Sequence, residues 1–310
     1  MSKPLNDTEK TALRAHSKKH RRILRKVRRK YEKELNAKIK NLKSNDPGKY
    51  WNLINPKKKN NRIGDISIDT ALTHFTDLNK DISDSNSSAF ENQNVVINDT
   101  INGPFTIEEI SKHIVALKKN KSPGIDYILN EFIKYCPDKL IHVIVLFFNI
   151  VLETGIVPTD WTHGIIKVLY KNNSDINDIN NYRAITLLSC LGKLFTSVLN
   201  ARLYSYLTNE NILGNEQVGL RPKHSTLDHI FALQILSNYY INESKQLFCA
   251  FVDYSKAFDF VNRAYLWQKL INSNINGKVL NVIRNMYKNA KSHISVKNVL
   301  SESFPCQVGV

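Results

Sequence analysis

The sequence predicts an α+β fold, and three observations carry that expectation. Short β-prone runs at 165–170, 183–188 and 247–252 are separated by helical stretches of unequal length, without the regular spacing of β-α-β units. Hydrophobic residues make up 42% of the 310-residue chain, enough for a sizeable core. The charge sits at one end: residues 1–60 carry 20 Lys and Arg against 5 Asp and Glu, a net +15 out of +16 overall. A basic N-terminal region therefore precedes a nearly neutral remainder.

Residues 1–56 form the first expected region. Within SKKHRRILRKVRRKYEKELNAKIKNLK, the apolar positions Leu24, Val27, Tyr31, Leu35, Ile39 and Leu42 fall at near-helical spacing, which predicts a helix with one apolar face and cationic flanks. Such a helix can neutralise phosphates, and binding of that kind weakens steeply with salt. The pattern also suits a solvated linker helix, a membrane-surface helix or a nuclear localisation signal. On the nucleic-acid reading, removing residues 1–45 lowers RNA affinity and flattens its dependence on salt. Equal slopes with and without the segment would reject that reading.

Residues 57–103 are expected to be a polar linker: Pro47, Gly48 and Pro56 punctuate its approach, and Asn, Ser and Asp dominate its length. One short helix is expected near Ala71–Leu78. Order resumes at Pro104, and residues 104–310 form the third region. Thr106 and Glu109 make a capping-box pattern for a helix carrying Ile107, Ile110, Ile114 and Leu117, which ends at Ser122, Pro123 and Gly124. A buried helix follows over 140–153. Its 13-residue apolar window, Leu140–Leu152, is shorter than the roughly 20 residues a spanning helix needs. After a turn at Gly155–Pro158, strands at 165–170 and 183–188 flank the polar loop 171–181 and read as a hairpin. A helix from Gly192 to about Asn209, a loop over 211–225 and a helix over 227–240 lead to the strand at 247–252. Helices over 264–271 and 277–288 complete the order.

The four cysteines lie 54, 59 and 57 residues apart, with no CxxC pair, so neither a zinc ribbon nor a dense disulfide framework is expected. His224, Asp228 and His229 lack the spacing and the fourth ligand of a zinc site. The N-terminus has no apolar run of the secretory kind. An intracellular setting, nuclear or cytoplasmic, is expected, with no membrane and no zinc; the oligomeric state is left open.

The nonapeptide FVDYSKAFD, Phe251 to Asp259, is the most informative stretch. Asp253 stands where an apolar run ends, and an ionised carboxylate there suits a hard cation such as Mg²⁺, which prefers oxygen ligands and retains waters and substrate phosphates. An Asp in that position is equally a turn former or a helix cap. Phe258, five residues on, can lie under a sugar or simply pack. On the flanking hairpin, Lys171, Lys167 and Arg183 offer cations; a guanidinium grips phosphate oxygens in a fork and an ammonium adds a point charge.

VDYSKAFD, together with GLRPKHST at 219–226, NYRAITLLS at 181–189, LKKNKSPGIDYI from Leu117, VPTDW from Val157 and IIKVLYK at 165–171, resembles the reverse transcriptases of non-LTR (LINE-type) retrotransposons. The resemblance covers roughly residues 104–310. It implies the fingers and an incomplete palm of a right-hand polymerase, and an RNA-directed DNA polymerase, a nucleotidyltransferase, working on an RNA template, a DNA primer or target and dNTPs with Mg²⁺ or Mn²⁺. It assigns Asp253 as the catalytic, metal-binding carboxylate with the Tyr254 backbone carbonyl beside it. Lys171, Arg183 and Phe258 become nucleotide-binding, Phe258 as a steric gate against the 2′-hydroxyl, and Arg221 becomes template-binding. Asp259 fits a capping or supporting role. Ala184 stands where relatives more often have Pro, and Leu220 where they have Phe.

The resemblance also implies a second acidic element, an aromatic residue, any residue and two aspartates, and no adjacent Asp pair occurs in the chain. QVGV at 307–310 resembles the start of the next family motif. The expectation is a truncated polymerase, without thumb or endonuclease, inactive alone, with an exposed strand edge and apolar surface. A non-catalytic nucleic-acid-binding fragment and the relic of a decayed element are the alternatives.

Overall fold

A computed structural model describes residues 64–80, 98–171 and 175–310, together with helical positions scattered between Arg22 and Asn45. The chain divides into two compact units, Met1–Asn61 and Arg62–Val310. Most of the basic region expected over 1–56, including Leu24, Val27, Tyr31 and Leu35, lies outside the described residues. The second unit is α+β, as the sequence predicts.

The second unit begins with α1 (Ile68–Leu78), whose N-cap Ser67 accepts a hydrogen bond from Thr70 N. Next come α2 (Asp99–Asn102) and α3 (Ile107–Ala116), the latter with the foreseen capping box: Glu109 N donates to Thr106 Oγ1 and Thr106 N to the Glu109 carboxylate. Short α4 (Asn130–Lys134) leads to α5 (Asp138–Thr154), and α6 (Thr159–Thr162) to β1 (His163–Tyr170). A 3₁₀ turn at Ile179–Asn181 precedes β2 (Tyr182–Leu187) and the 20-residue α7 (Cys190–Asn209). The helices α8 (Thr226–Asn242), α9 (Arg263–Asn272) and α10 (Gly277–Lys288) precede β3 (Lys291–Val296), β4 (Val299–Leu300) and β5 (Phe304–Pro305).

The sheet runs β2-β1-β3-β4, with β5 also paired to β3. β1 and β2 are the foreseen antiparallel hairpin, with Leu169 opposite Arg183 and Lys167 opposite Ile185. β1 lies parallel to β3, Ile166 opposite Ile294, and the chain between them supplies the long crossover that a parallel pair needs.

Two cores result. In the larger, α3, α5, α7 and α10 bury Ile110, Ile144, Phe148, Trp161, Leu194, Phe195, Val198 and Val279 together. Trp161 packs edge-on to Phe148 and tilted to Phe195, with ring centroids 5.8 and 5.2 Å away, and any Cβ on Gly192 would press on its indole at 2.9 Å. The smaller core joins Ile66, Ala71 and Phe75 to Ile166, Val168, Tyr182, Ile294, Val296 and Phe304. Residues 64–80 are therefore no solvated connection, unlike the linker expected over 57–103: α1 lies on the sheet, Gly64 N donates to Tyr182 Oη at 2.9 Å, and Gln307 N donates to Asn79 O at 3.0 Å. The foreseen helix near 71–78 is present. Its docking rests on apolar residues about 90 to 230 positions away, from Ile166 to Phe304, and no local pattern could reveal it.

Two further expectations are corrected. The run 247–252 is not a strand; Phe248, Phe251 and Val252 are 80% or more exposed. β-propensity makes a strand only where a neighbouring edge accepts the ladder, and none of the sheet's strands pairs with this run. The helix expected to be buried over 140–153 buries only Ile144, Phe148, Val151 and Leu152, while Leu140, Val143, Leu146 and Ile150 face outward. No described helix is long and apolar enough to cross a membrane.

Candidate nucleotide site

The sequence motifs converge on one another. Gly124 of LKKNKSPGIDYI lies so close to the Leu188–Ser189 backbone that any Cβ would collide with it, and Ser189 Oγ donates to the Asp126 carboxylate at 2.5 Å. The same Ser189, fully buried, accepts from Gly192 N and caps α7. The SPG turn thus packs against the chain where β2 passes into α7.

On the inner face of that hairpin lies a cavity of 890 Å³ between the two cores. Ile166 of β1 and Tyr182, Arg183, Ala184 and Thr186 of β2 line the cavity, and Lys167 is not among the lining residues. α1 contributes His74 and Phe75, α7 contributes Leu199 and Leu203, and α10 contributes Met286 and Tyr287. The cationic lining is Lys171, Arg183, Lys256 and Arg263, and Asp259 is the single carboxylate among the lining residues. An anion entering this space meets a strongly favourable potential, strengthened by the low-dielectric walls.

Each cation has a definite origin. Lys171 directly follows β1, and its backbone N–H donates to Asn181 O and its Nζ to Asn180 O at 2.8 Å. Arg183 is exposed at the start of the edge strand β2. Lys256 sits in a turn within FVDYSKAFD at φ 51°, a left-handed conformation that a side chain rarely adopts, and its carbonyl accepts from Asp259 N at 3.0 Å. Arg263 is a clamp: its guanidinium donates to the carbonyls of Gly309, Tyr287, Cys306 and Val308 and stacks over the Tyr287 ring at 4.8 Å. Val310 N and Gly309 N donate to Phe258 O and Val261 O, so QVGV is held against the end of FVDYSKAFD as part of the cavity wall. Nothing in the sequence pattern signalled this clamp, whose partners lie 24 to 46 residues downstream.

The titratable group at the rim is His74. Burial depresses its pKa first and the nearby Lys256 charge second, while Asp178 and Asp77 oppose the shift. The Cys306 thiol, also on the wall, is pushed up by burial and accepted by Ser292 Oγ at 3.2 Å. It is the protonated, unreactive form.

The remaining site residues stand elsewhere. Asp253 and Tyr254 lie in exposed, non-strand backbone, and neither lines the cavity. Phe258 is 59% exposed and meets the cavity wall through its carbonyl, which accepts from Val310 N. Arg221 donates to Gly214 O at 3.0 Å and Gln217 O at 3.2 Å, tying its own loop together beside Leu220 and Lys223, both in left-handed backbone. Among the described residues no group of three or more His, Cys, Asp or Glu is placed to hold a metal ion. Asp253 as it stands does not make a two-metal centre, which needs several converging carboxylates.

Residues 170–310 match the family model described as reverse transcriptase (RNA-dependent DNA polymerase). The chain is similar to the probable RNA-directed DNA polymerase from transposon BS of Drosophila melanogaster, 32% identical over 158 residues, covering 51% of this chain and 17% of that protein. It is 33% identical over 162 residues to the corresponding X-element protein of the same organism, covering 51% and 17%. Likeness to the RNA-directed DNA polymerase from mobile element jockey reaches further, 28% over 210 residues, 66% of this chain and 22% of the relative. The chain thus spans about a fifth or less of the length of these relatives.

Proposed function

We propose, on the premise that residues 170–310 belong to the reverse transcriptase family of non-LTR transposons, that this protein serves RNA-directed DNA synthesis and that the cavity receives the incoming dNTP. The observation that carries the proposal is the meeting in one cavity of Lys171 and Arg183 from the hairpin with Lys256 and Asp259 from FVDYSKAFD. The triphosphate lies against the cations. Phe75, Trp161, Tyr182 and Met286 offer apolar surface to base and sugar.

Phosphoryl transfer asks a protein mainly to position reactants and stabilise charge. Arg183 supplies a fork for two phosphate oxygens and Lys171 a point charge on a braced loop. The Arg263 clamp keeps 306–310 on the wall, so the pocket keeps its shape without the ligand. The finer assignments rest on the motif resemblance: Asp253 with the Tyr254 carbonyl as one element of a Mg²⁺ or Mn²⁺ site, Phe258 as the sugar gate, Arg221 toward the template, and fingers and partial palm as the architecture. The RNA template and the DNA primer or target are the partners of that reading, with residues 1–56 as a further nucleic-acid contact.

Equilibrium binding of dGTP to residues 1–310 tests the reading. Hydrogen bonds to charged groups contribute about 1.5–3 kcal/mol, so Arg183→Gln weakens binding about tenfold or more, and Lys171→Gln acts in the same direction. Unchanged affinity in both variants would remove the cavity from the account.

A further inference from the structure

His74 has no role in that reading, yet it lines the cavity with Lys256, and the two reach it from segments 182 residues apart in sequence, the helix α1 and the FVDYSKAFD turn. Resting on the dNTP reading of the cavity, we propose that His74 and Lys256 form a second, proton-linked contact for the phosphate chain of the nucleotide. α1 is thereby part of the substrate site and not only a cover for the sheet.

The geometry gives the reason. His74 is half-buried on the cavity face of α1, its ring edge-on to Phe75 with centroids 5.1 Å apart, which fixes the imidazole at the rim. The groups that act on it are Lys256 from the turn, Asp178 from the hairpin loop and Asp77 from its own helix. Lys171, Arg183, Arg263 and Asp259 share the cavity. Without a ligand, burial and the Lys256 charge keep the imidazole neutral. A phosphate chain seated on Lys256 reverses that field: it cancels the ammonium and adds negative charge beside the ring, so the bound state favours imidazolium.

The linkage has a definite sign. Binding raises the imidazole pKa, so binding takes up a proton. The contact is fully present below the ligand-free pKa and is lost as pH rises through the higher, ligand-bound value. Lys256→Gln relieves the field on the free ring and removes one phosphate contact, so affinity drops at every pH and the His74 titration moves up.

Calorimetric binding of inorganic triphosphate to residues 1–310 at pH 6.0 and pH 8.0, without divalent metal, provides the test. Comparison with His74→Gln cancels the titration of the ligand itself. The wild type is expected to lose several-fold more affinity than His74→Gln between the two pH values, part of the roughly tenfold factor that a rise of one pKa unit gives in full well below the ligand-free pKa, with the two proteins agreeing within about twofold at pH 8.0. NMR titration of the His74 ring gives the second readout, in which its pKa rises when triphosphate is added. Identical pH dependence in wild type and variant, or an imidazole pKa unmoved by triphosphate, overturns the proposal. If Arg183→Gln weakens binding and His74→Gln leaves the pH dependence intact, only the His74 contact falls. Absence of triphosphate binding sinks it together with the dNTP reading.

Discussion

Arg202→Ala lowers the stability of the 62–310 unit by about 3 kcal/mol, the loss expected on breaking a partly buried ion pair together with the carbonyl hydrogen bonds of the same guanidinium. For a domain of this size that is roughly 6–12 °C in Tm. The Arg202 side chain is only 12% exposed. Its guanidinium binds Glu109 through Nε and Nη2, at 2.8 and 2.7 Å, and also donates to the Gly103 and Pro104 carbonyls. It lies over the Phe105 ring at 4.3 Å, where Phe105 packs edge-on to Phe195. Glu109 meanwhile caps α3 through Thr106, so one substitution strands a carboxylate, two carbonyls and a helix end. The Arg202 hydrogen bond is the main cause holding the Glu109 carboxyl below its ordinary range. A depressed carboxyl contributes stability above its unfolded pKa and loses it as pH falls through the folded value. The gap between wild type and Arg202→Ala in thermal or urea unfolding therefore narrows under acid. A Tm within 2 °C of wild type at neutral pH would contradict this account of the pair.

Residues 1–310 by themselves are expected to extend no primer on an RNA template, with Mg²⁺ or Mn²⁺ and all four dNTPs present. Two metals need converging carboxylates to activate a primer hydroxyl and steady the leaving pyrophosphate. Among the described residues no group of three or more His, Cys, Asp or Glu gathers to hold a metal, Asp253 lies in exposed backbone, Asp259 supports a turn, and the chain contains no adjacent aspartates. Nucleotide binding is expected to persist, because it rests on Lys171, Arg183 and the cavity walls and not on Asp253. The separation is measurable: dGTP affinity retained, product undetectable by gel. Templated DNA synthesis by the purified chain, abolished by Asp253→Asn, would overturn this and return Asp253 to a working centre.

The parts legible in the sequence are those governed by neighbours along the chain. The Thr106–Glu109 capping box, the 3.6-residue pattern of α7 and the polar loop between two β-branched runs each state their structure within a few residues, and α3, α7 and the hairpin follow. Lys171 and Arg183 are named by the motif resemblance, and both line the cavity. The failures share a cause. Residues 247–252 have strand composition, but a strand belongs to a pair, and no described partner is present. Phe248, Phe251 and Val252, and Ile230, Phe231 and Leu236 of α8, are large apolar residues left exposed among the described residues, which composition alone does not reveal. α1 erred the other way: Asn- and Ser-rich flanks made it look like linker, while Ala71 and Phe75 belong to a core with β1, β2 and β3. Arg202 and Arg263 carry no local pattern that announces their roles; both are half-buried and donate to backbone carbonyls drawn from distant loops.

A crystal structure of residues 1–310 with inorganic triphosphate bound would test the central claim most directly. The expected result is triphosphate density inside the cavity, within hydrogen-bonding reach of Arg183 and Lys171 and approached by Lys256 and His74. Triphosphate held only on the basic segment before residue 60, with nothing but solvent between Arg183 and α1, would contradict it.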